Sequence, residues 1–126
     1  MANGNLAIVL HAHLPYVRSE EPGSLEEDWF FQALVECYLP LLGTLEDASK
    51  SKELAPKLTI GLSPTLLSLL LNKQIQETFP NWIKTRIDFL NDLPQKEKRA
   101  SEFLMKNIKD KHLYWQKCSG DLIERF

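Results

Sequence analysis

The 126-residue sequence predicts an α/β fold in which two parallel strands are followed mostly by helix. Two short apolar runs are each followed by a helical pattern. The resulting order of strand, helix, strand, helix is typical of a parallel sheet with right-handed crossovers. The first run is apolar throughout, as expected of a strand that is covered on both faces. The second half of the chain shows only helical periodicity.

The first strand is predicted over residues 6–10, and two histidines follow it. His11 and His13 are two positions apart, and Pro15 then stops the strand. Because alternate side chains of a strand share a face, the two imidazole rings should point the same way. The carboxyl end of a buried strand is where α/β folds place their functional groups. The histidine pair is therefore the first candidate site.

The first helix is predicted after a polar loop over residues 16–24. Ser24 and Glu27 match a capping box, which marks the start of a helix. Apolar residues then recur with a helical period from Trp29 to Leu45. Pro40 lies within this pattern and should kink the helix or split it in two.

The second strand is predicted over residues 58–62, after a polar segment at 46–57. Ser63 is a good N-cap residue, and Pro64 then occupies the first helical position. This combination predicts a short helix over residues 65–72.

The remainder of the chain is predicted to be helical, with breaks at Pro80 and Pro94. The last helix should bury one face, made of Ala100, Phe103, Leu104, Asn107, Lys111, Tyr114, Cys118 and Leu122. No third strand is predicted, and two parallel strands alone leave both edges of the sheet unpaired. The final helical pattern also runs to Phe126 without a capping signal. We therefore expect that the chain is cut off and that its partner strands lie beyond its end.

Composition and charge argue against several classes of function. A net charge of −2 and a pI of about 5.9 give no electrostatic case for nucleic acid or an anionic membrane. No stretch predicts a signal peptide or a transmembrane helix. Cys37 and Cys118 are expected to be reduced, buried thiols, so the cytoplasm is the default location. The oligomeric state is left open.

Residues 11–17, His-Ala-His-Leu-Pro-Tyr-Val, resemble the first signature block, His-x-His-x-Pro, of glycoside hydrolase family 57. Ala12, Leu14 and Tyr16 favour the α-1,4-glucan branching enzymes of that family over its glucanotransferases. Three further segments resemble the same subgroup: Glu27–Leu34, Tyr38–Leu42 and Leu58–Pro64.

The resemblance implies that residues 1–126 form the amino-terminal portion of an incomplete (β/α)7 barrel, with a sugar cleft at the carboxyl ends of the strands. It implies a retaining transfer on α-1,4-glucan that makes α-1,6 branches, with a Glu nucleophile, an Asp acid, and no metal or organic cofactor. Both carboxylates belong to later signature blocks that no residue here matches. We therefore assign no catalytic residue and expect no activity from this chain alone. The expected partner is an α-glucan such as glycogen or amylose, and neither nucleic acid nor membrane is expected.

For His11 and His13, the resemblance favours hydrogen bonds to sugar hydroxyls at the subsite next to the scissile bond. The spacing alone also fits a structural pair that bonds backbone carbonyls, or the first metal ligands of an amidohydrolase-type enzyme. Trp29 is either a platform for stacking a sugar ring or a core residue. Tyr16 either lines the cleft or braces the loop.

Two alternatives for the whole chain remain at this stage. One is a metal-dependent hydrolase that uses the histidine pair. The other is a non-enzymatic, truncated remnant that exposes apolar surface and self-associates. Acidic residues near the first helix are assigned to solvent or to the helix dipole: Glu20, Glu21, Glu26, Glu27 and Asp28.

Overall fold

Two strands and five α-helices make up the part of the chain that the computed structural model describes, residues 7–16, 23–50, 57–118 and 122–123. No helix within these ranges is both long and apolar enough to cross a membrane. The elements in chain order are β1 (Val9–Ala12), α1 (Leu25–Ala33), a π-helical segment (Leu34–Tyr38), α2 (Leu39–Ser49), β2 (Thr59–Leu62), α3 (Pro64–Leu70), α4 (Lys73–Asn91), a 3-10 turn (Gln95–Glu97) and α5 (Lys98–Lys117).

The two strands form a parallel pair, which confirms the predicted order of strand, helix, strand, helix. In the register, His11 lies opposite Gly61 and Ala12 lies opposite Leu62. Strand β1 begins and ends later than the predicted 6–10, so His11 lies within the strand. The reason is that pairing with β2 defines the strand, whereas the sequence prediction followed the apolar run alone.

The sheet is covered on one face only. Paired residues of a parallel ladder point to the same face, and Ala12 and Leu62 contact the hydrophobic core. Val9, on the opposite face, is 71% exposed. The expectation of a strand that is covered on both faces is therefore wrong for the described residues. The core lies among the helices, and the sheet in this part of the chain has only two strands.

The core is built from helical side chains, and aromatic rings form its centre. Phe79 is fully buried, with its ring centroid 5.4 Å from that of Phe31 and 4.6 Å from that of Trp115. Trp82 lies parallel to Phe79 with a centroid separation of 6.0 Å. These contacts join α1, α4 and α5, so burial of this cluster stabilises the packing of these three helices.

The long first helix remains helical through Pro40, but with a wider turn just before it. The N–H of Leu39 donates to the carbonyl oxygen of Leu34, five residues back, as in a π-helix. Proline has no N–H, and its ring crowds the preceding helical turn. The wider π turn gives that ring room, so the expected interruption takes this form.

The two cysteines differ in exposure. Cys118 is buried as expected, but Cys37 is exposed, so the expectation is wrong for Cys37. Leu34, Val35 and Tyr38 of the π-helical segment turn inward, which leaves Cys37 on the outer side. Burial, and secondarily the nearby Cys37, raises the pKa of Tyr38 above its ordinary value.

Of the two helix breaks predicted in the second half of the chain, one is confirmed and one is wrong. Pro94 lies between α4 and the 3-10 turn, as predicted, but Pro80 lies inside α4. Pro80 is exposed. Water can therefore bond the carbonyl oxygen that loses its helical partner, and the helix continues.

The predicted buried face of the last helix is wrong in its first half. Phe103 is 68% exposed, and Leu104 is also exposed. Ser101 and Trp115 are the buried residues of α5, and its half-buried residues are Met105, Asn107, Ile108, Lys111, His112 and Tyr114. The predicted members Asn107, Lys111 and Tyr114 are therefore half-buried, as the prediction requires. The prediction fails at Ala100, Phe103 and Leu104, because packing against α2 and α4 covers the neighbouring residues Ser101, Met105 and Ile108 instead. Two predicted members beyond α5 are buried, Cys118 and Leu122.

We expect Phe79→Ala to lower the free energy of unfolding by about 3–5 kcal/mol, because it leaves a cavity in the aromatic cluster. Phe89→Ala is the matched control. The same ring on the same helix is 59% exposed there, and its loss should cost well under half as much. Urea denaturation of both variants measures the difference. Equal losses would contradict this description of the core.

Candidate functional site

The two histidines lie side by side at the end of β1. His11 is in the strand and His13 follows its last residue, and both side chains are exposed. Their ring centroids are 5.8 Å apart and their planes differ by 11°. The rings are therefore parallel on one face, as alternation along a strand predicts.

Gly61 leaves room for the His11 ring. It lies opposite His11 in the parallel ladder. A Cβ atom at this position would lie 3.6 Å from Nδ1 of His11, which is van der Waals contact. A side chain that extends beyond Cβ would compete with the imidazole for the same space.

The turn from β2 into α3 holds the main chain on both sides of His13. The N–H of Ser63 donates to the carbonyl oxygen of Ala12 at 3.0 Å. The hydroxyl of Thr65 donates to the carbonyl oxygen of Leu14 at 2.7 Å. The chain is thus fixed just after the strand ends by residues about fifty positions further along the sequence.

This turn has the local structure that the sequence predicts. The hydroxyl oxygen of Ser63 accepts from the N–H of Leu66 at 3.3 Å, and Pro64 occupies the first turn of α3. An N-cap serine followed by proline satisfies or removes the free amide groups of the helix start. The predicted N-cap is therefore confirmed, and it sets the position of Thr65.

Tyr16 and Trp29 lie on the surface. Their side chains are 57% and 54% exposed, so the core interpretation of Trp29 is wrong. Neither residue makes a ring contact with the histidine pair within the described residues. The polar loop predicted over 16–24 lies partly outside the described residues, at 17–22.

The helix that carries Trp29 has a well-defined start. The N–H of Glu27 donates to the hydroxyl oxygen of Ser24 at 3.2 Å, which confirms the predicted cap. The Glu27 carboxylate accepts from the N–H of Gly23 at 2.7 Å, one residue earlier than in the usual capping box. Gly23 has a φ of +80°, which favours glycine.

Asp28, assigned to solvent or the helix dipole from the sequence, connects α1 to α4. Its Oδ1 accepts from Trp82 Nε1 at 2.6 Å and pairs with the Arg86 guanidinium. Its Oδ2 accepts from Gln32 Nε2 at 2.8 Å. The Arg86 guanidinium also lies 5.2 Å from the centre of the Trp82 ring, a cation–π contact. No local pattern indicates this cluster, because Trp82 and Arg86 are 54 and 58 positions away.

A separate groove of about 610 Å³ lies between the helices. The π-helical segment with its neighbours, α4 and α5 form its walls, and Trp82, Phe89 and Leu104 are among its apolar lining residues. None of the four predicted site residues lines it. The groove and the histidine pair are therefore different surfaces.

His11 and His13 supply two imidazoles. Across the residues that the structure describes, no group of three or more His, Cys, Asp or Glu side chains is placed to hold a metal ion.

Residues 7–126 match Glycosyl hydrolase family 57, and the chain belongs to this family. The 1,4-alpha-glucan branching enzyme TK1436 of Thermococcus kodakarensis is 28% identical over 123 residues, which is 95% of this chain and 18% of that enzyme.

Three solved structures of relatives are similar to this chain. The GH57-type branching enzyme of Pyrococcus horikoshii matches with a TM-score of 0.85 and 30% identity, over 98% of this chain and 24% of that one. TK1436, solved in complex with glucose, matches with a TM-score of 0.80 and 26% identity, over 97% of this chain and 22% of that one. The α-amylase AmyC of Thermotoga maritima matches with a TM-score of 0.79 and 26% identity, over 95% of this chain and 24% of that one.

The chain spans 18–24% of the length of these relatives. Its two parallel strands and the helices that follow correspond to part of the (β/α)7 barrel of family 57 enzymes, which confirms the expected fold class.

We expect Gly61→Val to separate the two imidazole rings, because its branched side chain occupies the space beside His11 Nδ1. The histidine side-chain resonances in NMR spectra should shift. Gly43→Ala is the control, since nothing lies within 4 Å of the added carbon. Unchanged histidine resonances in a folded Gly61→Val protein would contradict the close approach.

Proposed function

We propose that this chain supplies part of the sugar-binding surface of an α-1,4-glucan branching enzyme of family 57. His11 and His13 hydrogen bond glucan hydroxyls next to the scissile bond. The observation that carries the proposal is the pair of exposed, parallel imidazoles on the open face of the sheet. Family membership and the similarity to branching enzymes support the substrate class.

The open face of the sheet corresponds, in this proposal, to the interior of the barrel. In barrels of this type, helices cover the outer face of the strands and the other face points inward. Ala12 and Leu62 face the helical core, so Val9 and His11 lie on the inward side. This accounts for the exposure of Val9, and it assigns residues 1–126 to the amino-terminal portion of the barrel.

The chemistry of imidazole suits a glucan. A neutral ring offers one donor and one acceptor, and each sugar hydroxyl is both. Two parallel rings with centroids 5.8 Å apart present two such pairs to neighbouring hydroxyls. Orientation of a substrate by several such bonds is the contribution that binding residues make to catalysis.

The exposed aromatic side chains extend this surface. Trp29 and Tyr16 each present a ring to solvent that can stack on the apolar face of a glucose unit. Trp29 is held by the capped start of α1 and by its neighbour Asp28, which is bonded to α4. A ring on a fixed helix loses little freedom when it binds a sugar.

The transfer reaction itself needs groups that the proposal does not assign to this chain. A retaining mechanism uses two carboxyl groups about 5–5.5 Å apart, one as nucleophile and one as acid. The Asp28 carboxylate already accepts hydrogen bonds from Trp82 and Gln32 and pairs with Arg86, so we do not assign it a catalytic role. The chain therefore binds and orients glucan, without metal or organic cofactor. We place the whole reaction, the formation of α-1,6 branches, in the cytoplasm.

We expect the purified chain to form no α-1,6 linkages from amylose, because none of its residues matches the signature blocks that carry the two carboxylates in the family. Proton NMR of the anomeric region after incubation measures this, with TK1436 as the positive control. New α-1,6 signals would show that the chain supplies its own catalytic groups.

We expect His13→Ala to weaken binding of maltoheptaose by about fivefold or more, the factor that corresponds to one lost hydrogen bond. Isothermal titration calorimetry measures the dissociation constant. His112→Ala is the comparison: it removes a half-buried imidazole from α5, away from the histidine pair, and its buried Nε2 makes no hydrogen bond in the part of the chain described. If both variants bind like the original chain, the sugar-binding role of His13 is wrong.

A further inference from the structure

We propose that Thr65 is a positioning residue for His13, and that it acts through a hydrogen bond from its hydroxyl to the carbonyl oxygen of Leu14. The positioning of His13 by Thr65 follows from the hydrogen bonds in the structure alone. The consequence for glucan binding rests on the proposed function.

The main chain at His13 has left the strand, which ends at Ala12. The carbonyl of Ala12, just before His13, accepts from the N–H of Ser63, and the carbonyl of Leu14, one residue beyond His13, accepts from the Thr65 hydroxyl. The first bond continues the ladder by one step, whereas the second is made by a side chain. Without the second bond, the main chain just after His13 loses one of its two anchors, and the packing of the Leu14 side chain is the other.

The direction of the hydrogen bonds follows from counting protons. The Thr65 hydroxyl has one proton and donates it to Leu14. The contact of 3.1 Å between the Thr65 and Ser63 hydroxyls must therefore have Ser63 as its donor. The Ser63 oxygen in turn accepts from the N–H of Leu66. A chain of hydrogen bonds thus runs from the first turn of α3 to the carbonyl of Leu14, one residue beyond His13, and such chains strengthen each bond.

The side chain of Leu14 provides a second anchor that does not depend on Thr65. It is half-buried and packs against the hydrophobic core. Removal of the hydroxyl alone should therefore leave the segment in place but free to rotate about the peptide that carries His13. The expected result is loss of the parallel ring arrangement rather than loss of the fold.

The test compares three variants. Thr65→Val has nearly the same shape without the hydroxyl, and Thr65→Ser restores a hydroxyl. Thr78→Val is the matched control, because Thr78 is also half-buried but donates to Ile75 within its own helix, at 3.0 Å. The first readout is the histidine side-chain resonances without sugar, and the second is the dissociation constant for maltoheptaose.

We expect Thr65→Val to shift the His13 resonances and to weaken maltoheptaose binding about fivefold, the factor for one hydrogen bond. Thr65→Ser and Thr78→Val should resemble the original chain in both readouts. If Thr65→Val does not fold, Thr65→Ala replaces it with the same expected results.

Unshifted His13 resonances in Thr65→Val, or the same shift in Thr65→Ser, would overturn the positioning role. Shifted resonances that Thr65→Ser reverses support it, whatever the sugar affinity. If those shifts occur while neither His13→Ala nor Thr65→Val changes maltoheptaose binding, the proposed function fails and the positioning role stands.

Discussion

The covered face of the two-stranded sheet is the constraint on which the site depends. Side chains alternate along β1, so the contacts of Ala12 and Leu14 with the helical core place His11 and His13 on the opposite, open side. A shift of the strand by one residue would turn the imidazoles into the core and leave apolar side chains in solvent. The cost of burying two unpaired imidazoles prevents that shift. The packing of the helices on one face of the sheet therefore determines which way His11 and His13 point on the other face.

The helices give this arrangement rigidity at two places. The aromatic cluster around Phe79 joins α1, α4 and α5, and Asp28 adds a polar connection between α1 and α4. Beside the sheet, the capped start of α3 bonds the segment that carries His13. Both connections join residues that are far apart in sequence, so the packing of the helices and the position of His13 both depend on tertiary structure.

Local signals in the sequence predicted local structure well. The caps at Ser24 and Ser63 and the shared face of the two histidines depend on residues within a few positions of one another. The parallel pairing joins residues about fifty positions apart, and it was predicted from the order of the elements rather than from a local signal. The errors arise where distant contacts decide the outcome: which stripe of α5 is buried, whether Pro80 ends a helix, and what covers the sheet. Phe103 is apolar but exposed, because α2 and α4 pack beside a different stripe. Asp28 and Thr65 could not be identified, since their partners are more than fifty positions away.

A crystal structure of this chain with maltoheptaose is the most direct measurement of the central claim. The account predicts a glucose unit over the open face of the sheet, with its hydroxyls within about 3.2 Å of imidazole nitrogens of both His11 and His13. A sugar bound only in the groove between α4 and α5, with both imidazoles uncontacted, would contradict it.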